Sequence, residues 1–230
     1  MGKKRVLVFA SGTKDGGGSG FANLHEQARI TGGLNYEIVG VVSNFEYGGV
    51  RRHAEARQVP FRYFSSGTWS AEEYMAFVQA FQPDLVALSG WLKPVRGLPA
   101  GRVINIHPGS LTRKEMGKPL YGGKGMHGDA IHEAVLKNKE KFTAVSMHFV
   151  PSFDIQGYDR GPIFFEKRVP VLPDDIVETL RKRVNAVEYE WQPYLTSLVA
   201  NDSIWYDESL GGKVGCIPSD FPFLPRNQGA

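Results

Sequence analysis

Short apolar, β-branched runs recur through the first half of the chain, at residues 5–10 (Arg-Val-Leu-Val-Phe-Ala), Tyr36–Ser43, Pro83–Leu88 and Arg102–Ile106. Each has strand length. Between them lie segments with apolar residues at helical spacing: Phe21–Ile30, Val50–Gln58 and Ser70–Phe81. The last opens with Ser70 and, three residues on, Glu73, the spacing of a capping box. Continuously apolar strands alternating with helices predict βαβ units and a parallel sheet covered on both faces. In open sheets of this kind the strand carboxyl ends share one edge, and ligands bind there.

The second half has a different rhythm. Residues Leu111–Gly125 read as a long loop, followed by a helix around Asp129–Asn138 and strands at Thr143–Val150 and Pro162–Val171. Asp174–Ala200 reads as one long amphipathic helix, with Val177, Leu180, Val184, Val187 and Trp191 along one face. No internal repeat or heptad run is present. The division expected is one domain over 1–206 and a Gly- and Pro-rich extension over 207–230 with little regular structure.

Composition narrows the function classes. The hydrophobic fraction of 42% supports a real core, and a net charge of +3 is too mild to argue for a nucleic-acid partner. The one cysteine, Cys216, cannot form an intrachain disulfide and lies far from any metal-ligand spacing. Apolar runs fall well below the roughly 18 residues of a membrane span. The basic start, Met1-Gly-Lys-Lys-Arg5, leads straight into a strand without a signal-type apolar region. A soluble, cytoplasmic protein with no membrane partner is the expectation.

Glycine is over-represented, at 27 of 230 residues, and densest at Gly12, Gly16, Gly17, Gly18 and Gly20. That loop follows the first strand and opens the first helix, a context that aims backbone N–H groups at an anion, usually phosphate. It is not a Walker A loop, because Gly18 and Ser19 stand where Lys and Ser/Thr belong. Nor is it a dinucleotide fingerprint: the third glycine is missing, and Ser43 and Asn44 replace the acidic residue after the second strand. The plainer alternative is a surface loop.

A second constellation is Asn105-Ile-His107-Pro-Gly-Ser110, at the end of a buried strand. Alternation puts Asn105 and His107 on one face, about 7 Å apart along the strand. An amide donor suits an oxyanion, and an imidazole titrates near neutrality; a satisfied structural histidine is the alternative. The third constellation is the polar loop after Met147-His-Phe-Val150, with Asp154 and Asp159 as its carboxylates. One of them beside His107 would fix its tautomer and raise its pKa, while either could simply cap a turn. Weaker candidates remain. His132-Glu133 fails the zinc pattern, His127 is spaced five residues from His132, and Lys114, Lys118 and Lys124 suit a solvated face that could meet an anion. Trp91 suits packing.

In order, these pieces resemble the folate-dependent formyltransferase family, over about residues 4–206. The likeness rests on Gly18-Ser19-Gly20-Phe21, Val42-Ser43-Asn44, residues 88–93 (Leu-Ser-Gly-Trp-Leu-Lys), Asn105-Ile-His-Pro108, Gly125-Met-His127, His148-Phe-Val150, Asp159-Arg-Gly-Pro162, and Val169-Pro-Val171 with Glu188 on the last helix. The resemblance implies an α/β, Rossmann-like three-layer αβα fold, its sheet mostly parallel with an antiparallel C-terminal part. It implies transfer of a formyl group from 10-formyltetrahydrofolate, as co-substrate, to the amine of glycinamide ribonucleotide, by a monomer or homodimer and without a metal. Asn105, His107 and Asp159 would be catalytic, with Asp159 holding His107 charged. Gly18, Ser19, Gly20 and Glu188 would bind the nucleotide. The pterin would slot between the backbone around Leu92, Lys93 and Val95 and the loop before Asp159. The chain departs from the family in an extra Lys-Asp-Gly-Gly stretch, in Gly20 where asparagine is common, and in longer loops before Gly125 and Asp159. Asp154 therefore stays a rival to Asp159. Water or a sugar amine is the alternative acceptor, and a non-catalytic nucleotide- or folate-binding module the alternative class.

Overall fold

The apolar runs form the centre of one sheet in the computed structural model, which describes residues 2–65, 67–208 and 212–216. In chain order the elements are β1 (Lys4–Phe9), α1 (Ser19–Ile30), β2 (Tyr36–Ser43), α2 (Gly49–Ala56), β3 (Phe61–Tyr63), α3 (Ala71–Phe81), β4 (Leu85–Ser89) and β5 (Val103–His107). There follow β6 (Lys114–Glu115), β7 (Lys118–Pro119), α4 (Asp129–Lys137), β8 (Phe142–Phe149), α5 (Phe153–Gln156), β9 (Ile163–Pro170), α6 (Val177–Ala200), β10 (Ile204–Asp207) and β11 (Lys213–Cys216). The main sheet has the order β3-β2-β1-β4-β5-β8-β9. Strands from β3 to β5 are parallel, and β8 and β9 join antiparallel.

Period-two alternation builds the layers. Val6 and Val8 of β1 pack on one face with Phe21 and Leu24 of α1 and Leu180 and Val184 of α6. Leu7 and Phe9 pack on the other with Tyr74 and Phe81 of α3 and with Trp91, Val95 and Leu98 after β4. The predicted capping box is present, with Ser70 and Glu73 bonded reciprocally at the start of α3. The result is an α/β three-layer fold, mostly parallel with an antiparallel end. Order reverses between β1 and β4, so a crevice opens at their carboxyl ends.

One helix break matters to the site. Pro193 lies inside α6 and has no N–H to give the carbonyl of Tyr189. Asn23 Nδ2 of α1 donates to that carbonyl instead, at 2.9 Å. The bond ties α1 to α6 and sets Glu188, Tyr189 and Gln192 beside the first turn of α1.

Several short elements depart from the sequence expectation. β3 has three partly or fully exposed residues and so left no apolar run to read. The loop 111–125 contains the β6–β7 ribbon, closed by Met116 and Gly117 with φ of 48° and 77°, a two-residue turn whose twist suits a hairpin. α6 starts at Val177 rather than 174, because Asp175 turns its carboxylate onto the Leu172 N–H (2.7 Å) and Arg183. The extension from 207 carries a strand: β11 pairs with β10, and Val214 and Cys216 alternate onto the core. Residues 217–230 lie outside the described residues.

Candidate active site

A cavity of about 550 Å³ opens at the carboxyl ends of β1, β4 and β5, between the first turn of α1 and one face of α6. Asn105, His107 and Asp159 all line it. The β5–β8 register sets Asn105 opposite His148 and His107 opposite Ser146. Four polar side chains therefore converge. Asp159 Oδ1 lies 3.7 Å from both His107 Nδ1 and His148 Nε2. Asn105 Nδ2 donates to His148 Nε2 at 3.1 Å and, more weakly, to Asp159 Oδ1 at 3.4 Å.

Backbone partners assign the tautomers. His107 Nε2–H donates to the carbonyl of Tyr121 at 2.6 Å, leaving Nδ1 as the position that takes a proton. His148 Nδ1–H donates to the carbonyl of Phe149 at 2.9 Å, so Nε2 is an acceptor for Asn105. The Gly123 N–H donates to Asp159 Oδ2 at 2.8 Å. Tyr121 is itself fixed, its hydroxyl donating to Glu140 (2.6 Å) and accepting from Asn138.

Burial pulls His107 below the ordinary imidazole value, against the opposing pulls of Asp159 and the Tyr121 carbonyl. His107 is thus neutral near pH 7 in the open site. Asp159, at 3.7 Å, pulls the other way, so its charge is felt most once His107 takes a proton. Burial pushes Asp159 upward, but in acid the protonated imidazoles of His148, which then donates from Nε2, and of His107, with the Gly123 N–H, outweigh it and hold the carboxyl at about 2. Asp154 is elsewhere: both of its oxygens bond Arg96 Nε at 3.0 Å, so the structure brings Asp159, and not its rival, to His107.

Gly18, Ser19 and Gly20 lie at the other end of the cavity. Gly18 is the α1 cap residue with φ 89°, a conformation open to glycine. No side chain caps the helix and no acidic residue occupies its first turn, so the terminal N–H groups are left for a ligand. The extra Lys14–Asp15 stretch turns away from the cavity, closed by Thr13 N–H on the Gly16 carbonyl (3.0 Å) and held by Arg52 on the Lys14 carbonyl (3.0 Å). Glu188 lines the cavity from α6; burial without a cationic partner among the described residues pushes it up to about 7. Lys124 and His127 line it as well, whereas His132 is buried within α4.

The residues expected on the folate side divide. Lys93 and Val95 face a narrow cleft shared with residues 150–161, while Leu92 belongs to the main cavity. The backbone there already has partners: the Leu92 N–H donates to Ser11 Oγ (2.9 Å), and the Val95 carbonyl accepts from the Phe153 N–H (2.8 Å). The cleft measures about 40 Å³, room for about one water, so a bicyclic ring requires the 153–158 segment to move. Trp91 packs as expected, 6% exposed and edge-on to Phe9 and Trp69.

Some contributors were not singled out from the sequence. His148 stood in a recognised motif without a role, and the strand register is the signal that would have paired it with Asn105. Glu166 of β9 gathers the N–H groups of Leu111 and Thr112 and the hydroxyls of Ser110, Thr112 and Ser146, fixing the turn after His107. Ser89 and Gln192 sit against Gly20. Among the described residues, no group of three or more His, Cys, Asp or Glu side chains is arranged to hold a metal ion. No helix among them is long and apolar enough to cross a membrane.

Comparison with known proteins shows which family the chain belongs to. The model of the formyl transferase family matches residues 4–196. The chloroplastic phosphoribosylglycinamide formyltransferase of Arabidopsis thaliana is 31% identical over 219 residues, covering 90% of this chain and 70% of that protein. The phosphoribosylglycinamide formyltransferase of Bacillus subtilis (strain 168) is 28% identical over 203 residues, covering 83% and 91%. Among solved structures, that of phosphoribosylglycinamide formyltransferase from Anaplasma phagocytophilum superposes with a TM-score of 0.75 at 27% identity, over 96% of this chain and 98% of the other. With the match running from the first residue of β1 into the last long helix, the chain belongs to the formyl transferase family.

Proposed function

We propose that the chain transfers a formyl group from 10-formyltetrahydrofolate to the amine of glycinamide ribonucleotide, two small-molecule substrates, as a step of purine synthesis. The observation that carries this reading is the Asn105–His107–His148–Asp159 cluster, lying between an uncapped helix N-terminus and the Lys93–Val95 cleft. A phosphorylated acceptor suits the first, and a flat donor ring would enter the second once the 153–158 segment moves.

The residues divide the work by geometry. The substrate amine attacks the formyl carbon, and its nitrogen loses a proton as the tetrahedral intermediate forms. His107 Nδ1 takes that proton, because Nε2–H is fixed on Tyr121. The imidazolium so formed faces Asp159, which stabilises it only at that stage. Asn105 keeps its shorter bond to His148 and turns its weaker 3.4 Å contact toward the oxyanion. Collapse breaks the bond to the folate nitrogen, and His107 returns the proton to that leaving group. Glu188, neutral or charged near pH 7, is placed to bond the ribose or glycinamide part.

The test follows folate absorbance with glycinamide ribonucleotide supplied or withheld. Transfer that needs both substrates supports the reading. Loss of formyl without an amine acceptor would make the chain a hydrolase, and no reaction under either condition would make it a binding module.

A further inference from the structure

Gly20 has no side chain, and another residue fills the space one would take. A Cβ built on Gly20 would collide with Ser89 Oγ, so this hydroxyl stands against the first turn of α1. Ser89 closes β4, is 9% exposed, and reaches Gln192 Oε1 of α6 at 3.4 Å. Gln192 is 2% exposed, and its amide nitrogen makes no hydrogen bond to the described residues. Both side chains line the main cavity beside Gly17–Gly20.

A donor inventory decides what this pair can hold. A serine hydroxyl carries one donor hydrogen and a glutamine amide two. Their mutual contact uses one, whichever way the amide is turned. Two donor hydrogens are left over, next to the free N–H groups of the helix. Both residues line the cavity, so these donors are open to a ligand there. The arrangement therefore fits a ligand group made of acceptors only, with several oxygens converging on one point. A phosphomonoester dianion has that chemistry at several oxygens at once, which a single sugar hydroxyl does not supply. Neutral donors suffice here because the helix dipole supplies the favourable potential.

We infer that Ser89 and Gln192 form a neutral donor pair that binds the phosphate of the substrate together with the first turn of α1. The inference rests on the proposed reading of the acceptor as a ribonucleotide monophosphate. It gives the Gly20–Ser89 exchange a purpose: the donor that residue 20 cannot offer arrives from β4, across the cavity floor.

The experiment uses the full chain and two probes. Inorganic phosphate binding is measured by calorimetry, and formyl-transfer kinetics are measured against glycinamide ribonucleotide, for the wild type, Ser89→Ala and Gln192→Leu. Each substitution should weaken phosphate binding about tenfold or more, the worth of a hydrogen bond to a charged group. KM for the ribonucleotide should rise by a matching factor, so that the loss in kcat/KM sits in KM. The double variant Gly20→Ala with Ser89→Ala makes room for the new methyl group without restoring a donor, so it should melt near the wild type yet bind phosphate as weakly as Ser89→Ala. Unchanged phosphate affinity in folded Ser89→Ala, or no phosphate binding by the wild type, would overturn the inference. Phosphate binding that depends on Ser89 in a chain without transfer activity would keep the pair and overturn only the assigned reaction.

Discussion

Replacing Asp159 with Asn tests the proton path most directly. The substitution keeps size and an acceptor for the Gly123 N–H, but removes the one negative charge facing both imidazoles. Its Oδ1 lies 3.7 Å from His107 Nδ1. At that separation, with an effective dielectric near 20, two unit charges interact by about 4 kcal/mol as an upper bound. That corresponds to about three pKa units, or about a thousandfold in rate if all of it is felt in the transition state. His107 is already held low by burial, so loss of the carboxylate lowers it further and leaves the imidazolium of the intermediate uncompensated. The formyl-transfer kcat should fall by about two to three orders of magnitude, and the pH-profile limb that reports His107 should move to lower pH. Asp154→Asn is the control. That side chain is 61% exposed and paired with Arg96, so its loss should cost only several-fold. Activity within tenfold of wild type in Asp159→Asn, or a larger loss in Asp154→Asn, would refute the reasoning.

Other substitutions probe the surrounding structure. Glu188→Gln should raise stability at pH 8 by at most about 3 kcal/mol and by little at pH 4, because a carboxyl held at about 7 against 4.5 when unfolded loses stability as pH rises through that window. Thermal melts at the two pH values check the sign, and a larger gain at pH 4 would contradict it. His148→Ala removes the acceptor that orients Asn105, a bond worth about 1–1.5 kcal/mol; kcat should drop about tenfold with little change in KM for the ribonucleotide, and a change confined to KM would speak against that role. Glu166→Ala strips the acceptor from the Thr112 N–H, while the Leu111 N–H keeps Ser146 Oγ and the Ser146 hydroxyl keeps the Gly109 carbonyl, and should destabilise the chain by about 1–2 kcal/mol in urea titration. A shift under about 0.5 kcal/mol would show the turn after His107 to be held otherwise.

The parallel core was legible because β1, β2, β4 and β5 are buried on both faces and so leave continuous apolar runs. The capping box marked α3 for a local reason, two residues bonding within one turn. Exposed or very short pieces, such as β3 and the β6–β7 ribbon, have no such signature. Within the site, Asn105 and His107 could be paired by alternation along one strand. Asp159 could be preferred to Asp154 from its Asp-Arg-Gly-Pro context, and the fold adds that Asp159 lies beside His107 while Asp154 pairs with Arg96. The carbonyl of Tyr121 could not be read at all, because every residue carries one. The protonation state of His107 depended on how dry its surroundings are, a property of packing and not of spacing.

Pairing between β5 and β8 sets Asn105 opposite His148 by ladder hydrogen bonds, not by the chain that joins the strands. The intervening segment from 108 to 141 is therefore not needed to hold those two groups in register. Closing a longer loop costs little, about 0.6 kcal/mol for each doubling. Insertions around the β6–β7 ribbon should leave the reacting groups in place, and the exposed turn at Met116–Gly117 is a point where a foreign peptide or a fluorophore could be grafted. The exceptions are Pro108, Tyr121–Gly123, whose backbone touches His107 and Asp159, and Lys124–Gly128 along the cavity wall. Divergence in loop length and constancy of chemistry can thus coexist in this chain, provided the stretch from 121 to 128 returns to the same place.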